Sequence, residues 1–332
     1  MRAVVFHEHG GVEQLRIESM PDPVCGPEDV VVAVRAVALN GFEPMILQGT
    51  TALRTPFPMI PGGDAAGEIV EVGSAVAGWV VGDRVGFFPL VPGEGMTGET
   101  RLGALSERHR VPAKSLIRLP AGLDFEAAAA LPIAYGTALR MMRDRGRVRA
   151  GETVLVLGAA GGVGTACVQL AKAAGATVIA GASAAWKLEK LQQLGADHVV
   201  DTGTTDVRQW VWDQFGKPRM GGGGGVDVVV NYIGGDTWKD ALRMIAPGGR
   251  MLVCGATAGY AVETDCRYVW TYEISIVGSN AWTPADQAEL YAMAADGRIR
   301  PVIDGVHPLE AAPEVMQRLI DRDFFGKLVL VP

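Results

Sequence analysis

The 332-residue chain is poor in cysteine, in positive charge and in long apolar runs, and each shortage removes a class of function. Its four cysteines, Cys25, Cys167, Cys254 and Cys266, form no C-x-x-C pair and have no histidine at ligand spacing. A zinc ribbon or disulfide framework is therefore excluded, and Cys167 and Cys254 read as small buried apolar residues. Lys and Arg total 30 against 37 Asp and Glu, giving a net charge of −7. No nucleic-acid or anionic-membrane partner is expected on that balance, and no basic cluster to set against it. Nor does any window reach the roughly 18 apolar residues of a membrane span. The opening M-R-A-V-V-F-H-E-H-G carries charged and histidine residues where a secretory signal needs a long apolar core. A cytoplasmic chain long enough for two domains is expected.

What is present begins with Thr153 to Lys172, T-V-L-V-L-G-A-A-G-G-V-G-T-A-C-V-Q-L-A-K: an apolar strand, a glycine-rich turn and a helix in succession. That order suits a dinucleotide pyrophosphate. Gly161 and Gly162 let backbone approach phosphate, and Gly164 lets the helix pack tightly on the strand. The helix N–H groups then face the charge. The pattern is A-x-G-x-x-G, with Ala159 at the first glycine position and Val163 within it.

Before about residue 120, short β-type runs such as Val30–Val37, Gly67–Val72 and Arg84–Phe88 alternate with Gly and Pro. From Glu152 strands alternate with helices. Thr153–Leu157, Thr177–Ala180, His198–Val200, Val226–Asn231, Arg250–Cys254 and Glu273–Val277 are predicted to form one parallel sheet. The tail from Asn280 to Pro332 is predicted to return to the first domain. The fold class is α/β, a doubly wound Rossmann sheet over 124–278 inserted in a β-rich domain of residues 1–123 and 279–332. Ligands are expected in the crevice between the two. The five glycines at 221–225 read as a flexible surface turn, because a strand follows them and not a helix.

Four segments then carry a resemblance. They are Asn40–Gly49 with P-M-I-P-G-G-D-A-A-G-E-I-V-E-V-G (Pro58–Gly73), and V-G-D-R-V (Val81–Val85). The others are the glycine turn with K-L-x-x-L-x-x-L-G-A-D-H-V-V-D (Lys187–Asp201), and P-G-G-R-M-L-V-C-G-A-T-A-G (Pro247–Gly259) with F-G-K-L-V-L (Phe325–Leu330). Nearly the whole chain thereby resembles the medium-chain dehydrogenase/reductase superfamily, in its zinc-free, zeta-crystallin-like branch of quinone oxidoreductases and enoyl reductases. The resemblance implies a GroES-like catalytic domain around the Rossmann unit. Zinc enzymes of the superfamily place a cysteine where Asn40 stands, and G-H-E where this chain has Gly62-Gly63-Asp64. Their four-cysteine lobe corresponds to Val91–Ala104, which contains none. No metal is expected, which directs the chemistry to acceptors activated by conjugation: quinones, enones or enoyl thioesters.

The end of the second Rossmann strand, Ala180-Gly181-Ala182-Ser183, lacks the carboxylate that would bond a ribose 2′-OH, and Lys187 follows. Ser183 and Lys187 fit a 2′-phosphate, so NADPH is the expected cofactor. The resemblance places Asn40, Thr137, Gly255, Ala256 and Asn280 around the nicotinamide. Asn40 both donates and accepts, toward a substrate carbonyl or the ribose, or else holds a turn before Gly41. Asp64 reads as a buried structural hydrogen-bonding group. For a proton donor the candidates are Tyr135 and Tyr260, each equally readable as a packing aromatic. The run Thr257–Tyr260 with Asp265-x-Arg267-Tyr268-x-Trp270 is similar to crotonyl-CoA-type reductases and keeps an acyl thioester open as substrate. Quinone reduction is the leading expectation and enone or enoyl-thioester reduction the alternative. Zinc-type alcohol oxidation and cofactor binding without turnover stand behind them. The strand over 273–278 is expected at a sheet edge, pairing two copies into a homodimer.

Overall fold

Valine-rich runs broken by glycine and proline give the N-terminal part its strands, because β-branched side chains suit a pleated surface and the breakers end it. In the computed structural model, which describes residues 1–51 and 54–332, these are β1 (Arg2–Val5), β2 (Arg16–Ser19), β3 (Asp29–Ala38), β4 (Asp64–Val72), β5 (Arg84–Phe87), β6 (Leu90–Val91), β7 (Gly95–Met96), β8 (Arg108–Pro112) and β9 (Leu116–Arg118). Helix α1 (Glu43–Gln48) joins β3 to β4. Helices α2 (Phe125–Ala130) and α3 (Pro132–Leu139) follow β9, and α3 runs into a π-helical stretch, Arg140–Arg145.

An alternating series comes next: β10 (Thr153–Val156), α4 (Gly162–Ala173), β11 (Thr177–Ala182), α5 (Ala185–Gln193), β12 (His198–Asp201), α6 (Val207–Phe215), β13 (Val226–Val230), α7 (Thr237–Met244), β14 (Ile245–Val253), α8 (Cys266–Thr271) and β15 (Ser275–Gly278). The chain closes with α9 (Pro284–Ala295), β16 (Ile303–Pro308), α10 (Ala312–Ile320) and β17 (Lys327–Val331).

Met1–Ala134 and Thr283–Pro332 form one unit, and Tyr135–Trp282 the other. The first unit takes in α2, which the sequence reading assigned to the Rossmann part, because its alanine-rich turns pack on β3 and β4. Its main sheet runs β16-β17-β3-β4-β5-β9, with β8 also on β3. Only β16 and β17 are parallel in it.

The second unit holds a six-stranded parallel sheet ordered β12-β11-β10-β13-β14-β15, whose order reverses between β10 and β13. Parallel strands covered on both faces are apolar throughout, and Val154, Leu155, Val156, Val228, Val229 and Val230 are all fully buried. The last strand starts two residues later than predicted because Glu273 takes a left-handed conformation, φ 53°. The glycine run is less loose than expected. Gly222 to Gly225 all have positive φ, and a Cβ on Gly224 or Gly225 would lie 2.2 Å from the Lys217 carbonyl oxygen or 2.5 Å from that of Met244. Among the described residues no helix is long and apolar enough to cross a membrane.

One glycine fixes how closely β3 and β4 approach. A Cβ on Gly67 would stand 2.1 Å from the Ala33 carbonyl oxygen and 2.8 Å from Val32 Cγ1. Gly67→Ala is expected to cost about 2–3 kcal/mol of stability through overpacking. It would read as a lower urea midpoint with an unchanged m-value; an unmoved midpoint would contradict the close approach.

Candidate active site

Every residue that the sequence reading assigned to a cofactor, apart from Asn40 and Thr137, lies just past the carboxyl end of a strand of the parallel sheet. The glycine turn follows β10, Ser183 and Lys187 follow β11, Gly255 and Ala256 follow β14, and Asn280 follows β15. Thr137 sits half-buried on α3. This edge, on either side of the switch between β10 and β13, is where doubly wound sheets hold ligands.

The turn is built as its glycines require. Gly158 takes φ 69°, and its carbonyl accepts a 2.6 Å hydrogen bond from the Tyr232 hydroxyl. A Cβ on Gly161 would meet nothing within 4 Å, which leaves room above the backbone. A Cβ on Gly164 would lie 2.6 Å from the Cα, C and O atoms of Ala159, so only glycine lets α4 begin this close to β10. The N-terminus of α4 has no side-chain cap and no acidic residue in its first turn. Its first N–H groups and the positive end of its dipole are therefore left for an anion. Asn231, at the end of β13, is fully buried. Its Oδ1 accepts from Ile233 N, Gly234 N and Thr237 Oγ1, while its Nδ2 has no partner among the described residues. A buried donor left unmade costs about 1–3 kcal/mol, and its place at the switch point fits a site that a nicotinamide dinucleotide completes. Neither Asn231 nor Tyr232 was anticipated from the sequence.

Around α5 the electrostatics are unusual for a helix start. Ala184 at the N-cap offers no side-chain bond, and the first turn holds no acid. The ammonium groups of Lys187 and Lys190 lie 5.2 and 4.9 Å from the ring centroid of Trp186. Lys187 stands three residues after the N-cap, beside the end of β11, where a cation is disfavoured by the dipole and favours an incoming anion; Lys190 lies in the last turn of α5.

The first unit gathers a second polar group. Pairing of β17 with β3 and of β3 with β4 aligns Val329, Ala38 and Asp64, which brings Lys327, Asn40 and Asp64 together. Lys327, 2% exposed, donates from Nζ to Asn40 Oδ1 at 2.5 Å and stands 3.6 Å from Asp64 Oδ2. Asn40 Nδ2 donates to Asp64 Oδ2 at 3.0 Å, and Asp64 also accepts from Ile133 N. Glu43 accepts from the backbone N–H of Asn40 and of Gly63. Both ends of the Asn40 amide are thus engaged within this unit. The amide is held by Lys327 and Asp64, and its Oδ1 keeps a second lone pair beside the Lys327 bond. Asp64 has the structural hydrogen-bonding role expected of it. Lys327 and Glu43 were missed, the one lying 287 residues from its partner. An ammonium group sits among Asn40 and Asp64, and Gly63 has no side chain. These residues do not fit a zinc ion, whose ligands are thiolate, imidazole or free carboxylate.

The two tyrosines diverge. Tyr135 is fully buried and its hydroxyl accepts from Gln169 Nε2 at 3.0 Å, whereas Tyr260 is 78% exposed on the loop after β14. Tyr135 is therefore placed as a packing aromatic. Among the described residues no group of three His, Cys, Asp or Glu side chains is arranged to hold a metal.

Comparison with known proteins agrees with this architecture. Residues 26–121 match the family described as alcohol dehydrogenase GroES-like domain, and residues 162–296 the family described as zinc-binding dehydrogenase. The quinone oxidoreductase of Rattus norvegicus is 31% identical, covering 100% of this chain and 98% of its own. The acryloyl-coenzyme A reductase of Sulfurisphaera tokodaii is 29% identical over 100% of both chains. A crystal structure named as an NAD-dependent alcohol dehydrogenase superposes with a TM-score of 0.92 at 34% identity, covering 100% of both chains.

The buried cluster predicts a pH dependence. Burial pushes the Glu43 carboxyl up to about 7 and the Asp64 carboxyl up to about 6, the latter against the pull of Lys327. Burial also lowers Lys327. A carboxyl raised in the folded state stabilises fully below its ordinary value and loses that contribution as pH rises through the folded one. For Glu43 that window is 4.5 to about 7. Buried His109, held down at about 3, stays neutral in the fold while the unfolded imidazole still loses its proton near 6.5. It therefore adds a rise of about 0.8 kcal/mol between pH 6 and pH 8, opposite in sign to the Glu43 contribution. Between pH 6 and pH 8, urea unfolding of the wild-type chain is expected to lose about 1 kcal/mol relative to Glu43→Gln, a comparison in which the His109 contribution cancels. The same slope in the variant would assign the titration elsewhere.

Proposed function

The chain is an oxidoreductase of the medium-chain dehydrogenase/reductase superfamily, in the branch of quinone oxidoreductases and enoyl reductases, and on that premise we propose that it is an NADPH-dependent, metal-independent reductase of conjugated carbonyl compounds, quinones first. The cofactor choice rests on one observation, the acid-free start of α5 with Lys187 against Trp186. A 2′-phosphate is attracted there, whereas a 2′-OH finds no carboxylate to accept its proton. That a protein of similar fold is named for NAD makes this choice a property of local residues and not of the fold.

Bound NADPH supplies a hydride, and acceptor, NADPH and one proton give reduced acceptor and NADP⁺. The chain's own contributions are binding and orientation. The α4 N-terminus and the glycine turn hold the pyrophosphate, and the Lys327–Asn40–Asp64 network keeps the loop after β3 in one conformation. With Tyr135 buried and Tyr260 exposed, neither tyrosine is assigned the proton, which a quinol takes from solvent. The likeness to the acryloyl-coenzyme A reductase supports a second reading, hydride addition to an enoyl thioester. The homodimer belongs to the same proposal: β15 ends its sheet with one edge unpaired, and static light scattering at micromolar concentration is expected to give twice the chain mass. A chain mass of one would remove it.

NADPH oxidation should proceed with an ortho-quinone or a 2-enoyl-CoA, unaffected by chelator, and not with an unconjugated aldehyde. Lys187→Ala is expected to raise KM for NADPH about 10- to 100-fold, the equivalent of one charge-assisted bond, with NADH little changed. Equal losses for both cofactors would refute the 2′-phosphate assignment. Activity confined to the aldehyde and abolished by chelation would restore the zinc reading.

A further inference from the structure

The expectation of no basic cluster fails in one place. Residues 140–149 contain five arginines, Arg140, Arg143, Arg145, Arg147 and Arg149, within a chain of net charge −7. Arg143 pairs with Asp144. Arg149 stands beside Glu152, which accepts from its backbone N–H and, against burial, is lowered by Arg250 and also by Arg149. Arg140, Arg145 and Arg147 have no acidic partner among the described residues. Arg145 is instead held by its Nε, which donates to the Gly278 carbonyl at 2.9 Å, a bond that leaves its two terminal nitrogens as further donors.

A cavity of about 400 Å³ is lined by Arg140, Arg145, Val253, Cys254, Gly278, Ser279 and Asn280, at the carboxyl ends of β14 and β15. No carboxylate lines it. Ser279 is 9% exposed, and its buried hydroxyl has no partner among the described residues. Cys254 adds no charge, since burial pushes its thiol up to about 12. A neighbouring cavity of about 320 Å³ shares Arg145 and adds Arg147 and Arg149, with Asp144, the partner of Arg143, as the one carboxylate in its lining. Arg250 also lines that second cavity, but it is neutralised by Glu152 at 2.9 and 2.7 Å. Two arginines lining one cavity repel each other unless an anion stands between them, and the further arginines add to the positive potential.

We propose that this cavity binds a phosphate group, with Arg140 and Arg145 as its two cations. A phosphate dianion balances both charges, and its oxygens suit the planar forks of the two arginines. A single carboxylate would leave one charge uncompensated. The phosphate comes either from the substrate's own carrier or from a free phosphate that acts as an effector. Only the choice between those sources rests on the reductase reading.

Calorimetric titration of inorganic pyrophosphate into the protein saturated with NADPH tests the site, because the glycine turn is then occupied. Saturable binding is expected, weakened at least tenfold in the R140Q/R145Q double variant while its circular dichroism and melting temperature stay unchanged. No saturable binding, displacement of pyrophosphate by rising NADPH, or equal affinity in the double variant would overturn the proposal. Should the variant fold poorly, phenylglyoxal labelling of the unmodified chain decides, since pyrophosphate must protect Arg140 and Arg145 selectively and an absence of protection overturns the site. The source is read from KM for a 2-enoyl-CoA and for the same acyl group on N-acetylcysteamine, which lacks phosphate. In the double variant, a rise of tenfold or more confined to the CoA thioester assigns the phosphate to the substrate. Unchanged KM values beside lost pyrophosphate binding assign it to a free anion. A protein inert toward every conjugated acceptor that still binds pyrophosphate at these arginines would remove the proposed function and leave this site standing.

Discussion

A helix can begin within one turn of a buried strand only if nothing projects from the residue that meets the strand's end. Gly164 against the backbone of Ala159 is that contact, and much of the second unit follows from it. With α4 seated so close, its uncapped N-terminus arrives at the carboxyl edge of β10, beside the point where strand order reverses. The parallel sheet then delivers the ends of β11, β13, β14 and β15 to the same edge. Each loop contributes what a short connection can: a small residue, a lysine, an amide or a hydroxyl. The orphaned Asn231 amide and Ser279 hydroxyl both occur along this edge, where ligand atoms replace protein partners.

The first unit settles a different problem, that of a charge in a core. Lys327 is buried within a sheet of valines and leucines, at a desolvation cost that only good partners offset. Asn40 and Asp64 supply those partners, and Glu43 adds a second carboxylate nearby. Removing one member would leave a charge unpaired, which explains why the group reads as a unit. It also bears on the chemistry. In zinc enzymes of this superfamily the corresponding positions carry metal ligands. Here an asparagine and a glycine stand there, next to an ammonium group whose charge would repel a cation. Polarisation of an isolated carbonyl is then hard to supply, and acceptors activated by conjugation fit better.

The legibility of these features in the sequence depended on how local their causes are. The glycine turn, the parallel sheet and the missing acid after β11 are all written within a few adjacent residues, and each was readable from spacing. Lys327 was not, because its partner is brought by strand pairing across 287 positions and no periodicity marks it. The Asn40 bonds to Lys327 and Asp64 were not legible either, since an amide's neighbours are assembled only by the fold. Glu273 shortened β15 by adopting a positive φ that non-glycine residues rarely take, so no propensity anticipated it. Two members of the glycine run lie against backbone carbonyls, although composition made the run look featureless.

Net charge is the plainest case of an average hiding its parts. A surplus of seven negative charges argues correctly about the field far from the surface, but within a Debye length of about 8 Å local charges decide. Three arginines, Arg140, Arg145 and Arg147, without acidic partners among the described residues create such a neighbourhood beside β15 inside an acidic protein. The acidic remainder then has a consequence of its own: it repels anions over most of the surface, so those that bind do so where the arginines or the helix N-termini stand. An acceptor that carries phosphate would be guided along the carboxyl edge toward the end of β15. A neutral quinone would gain nothing from that field.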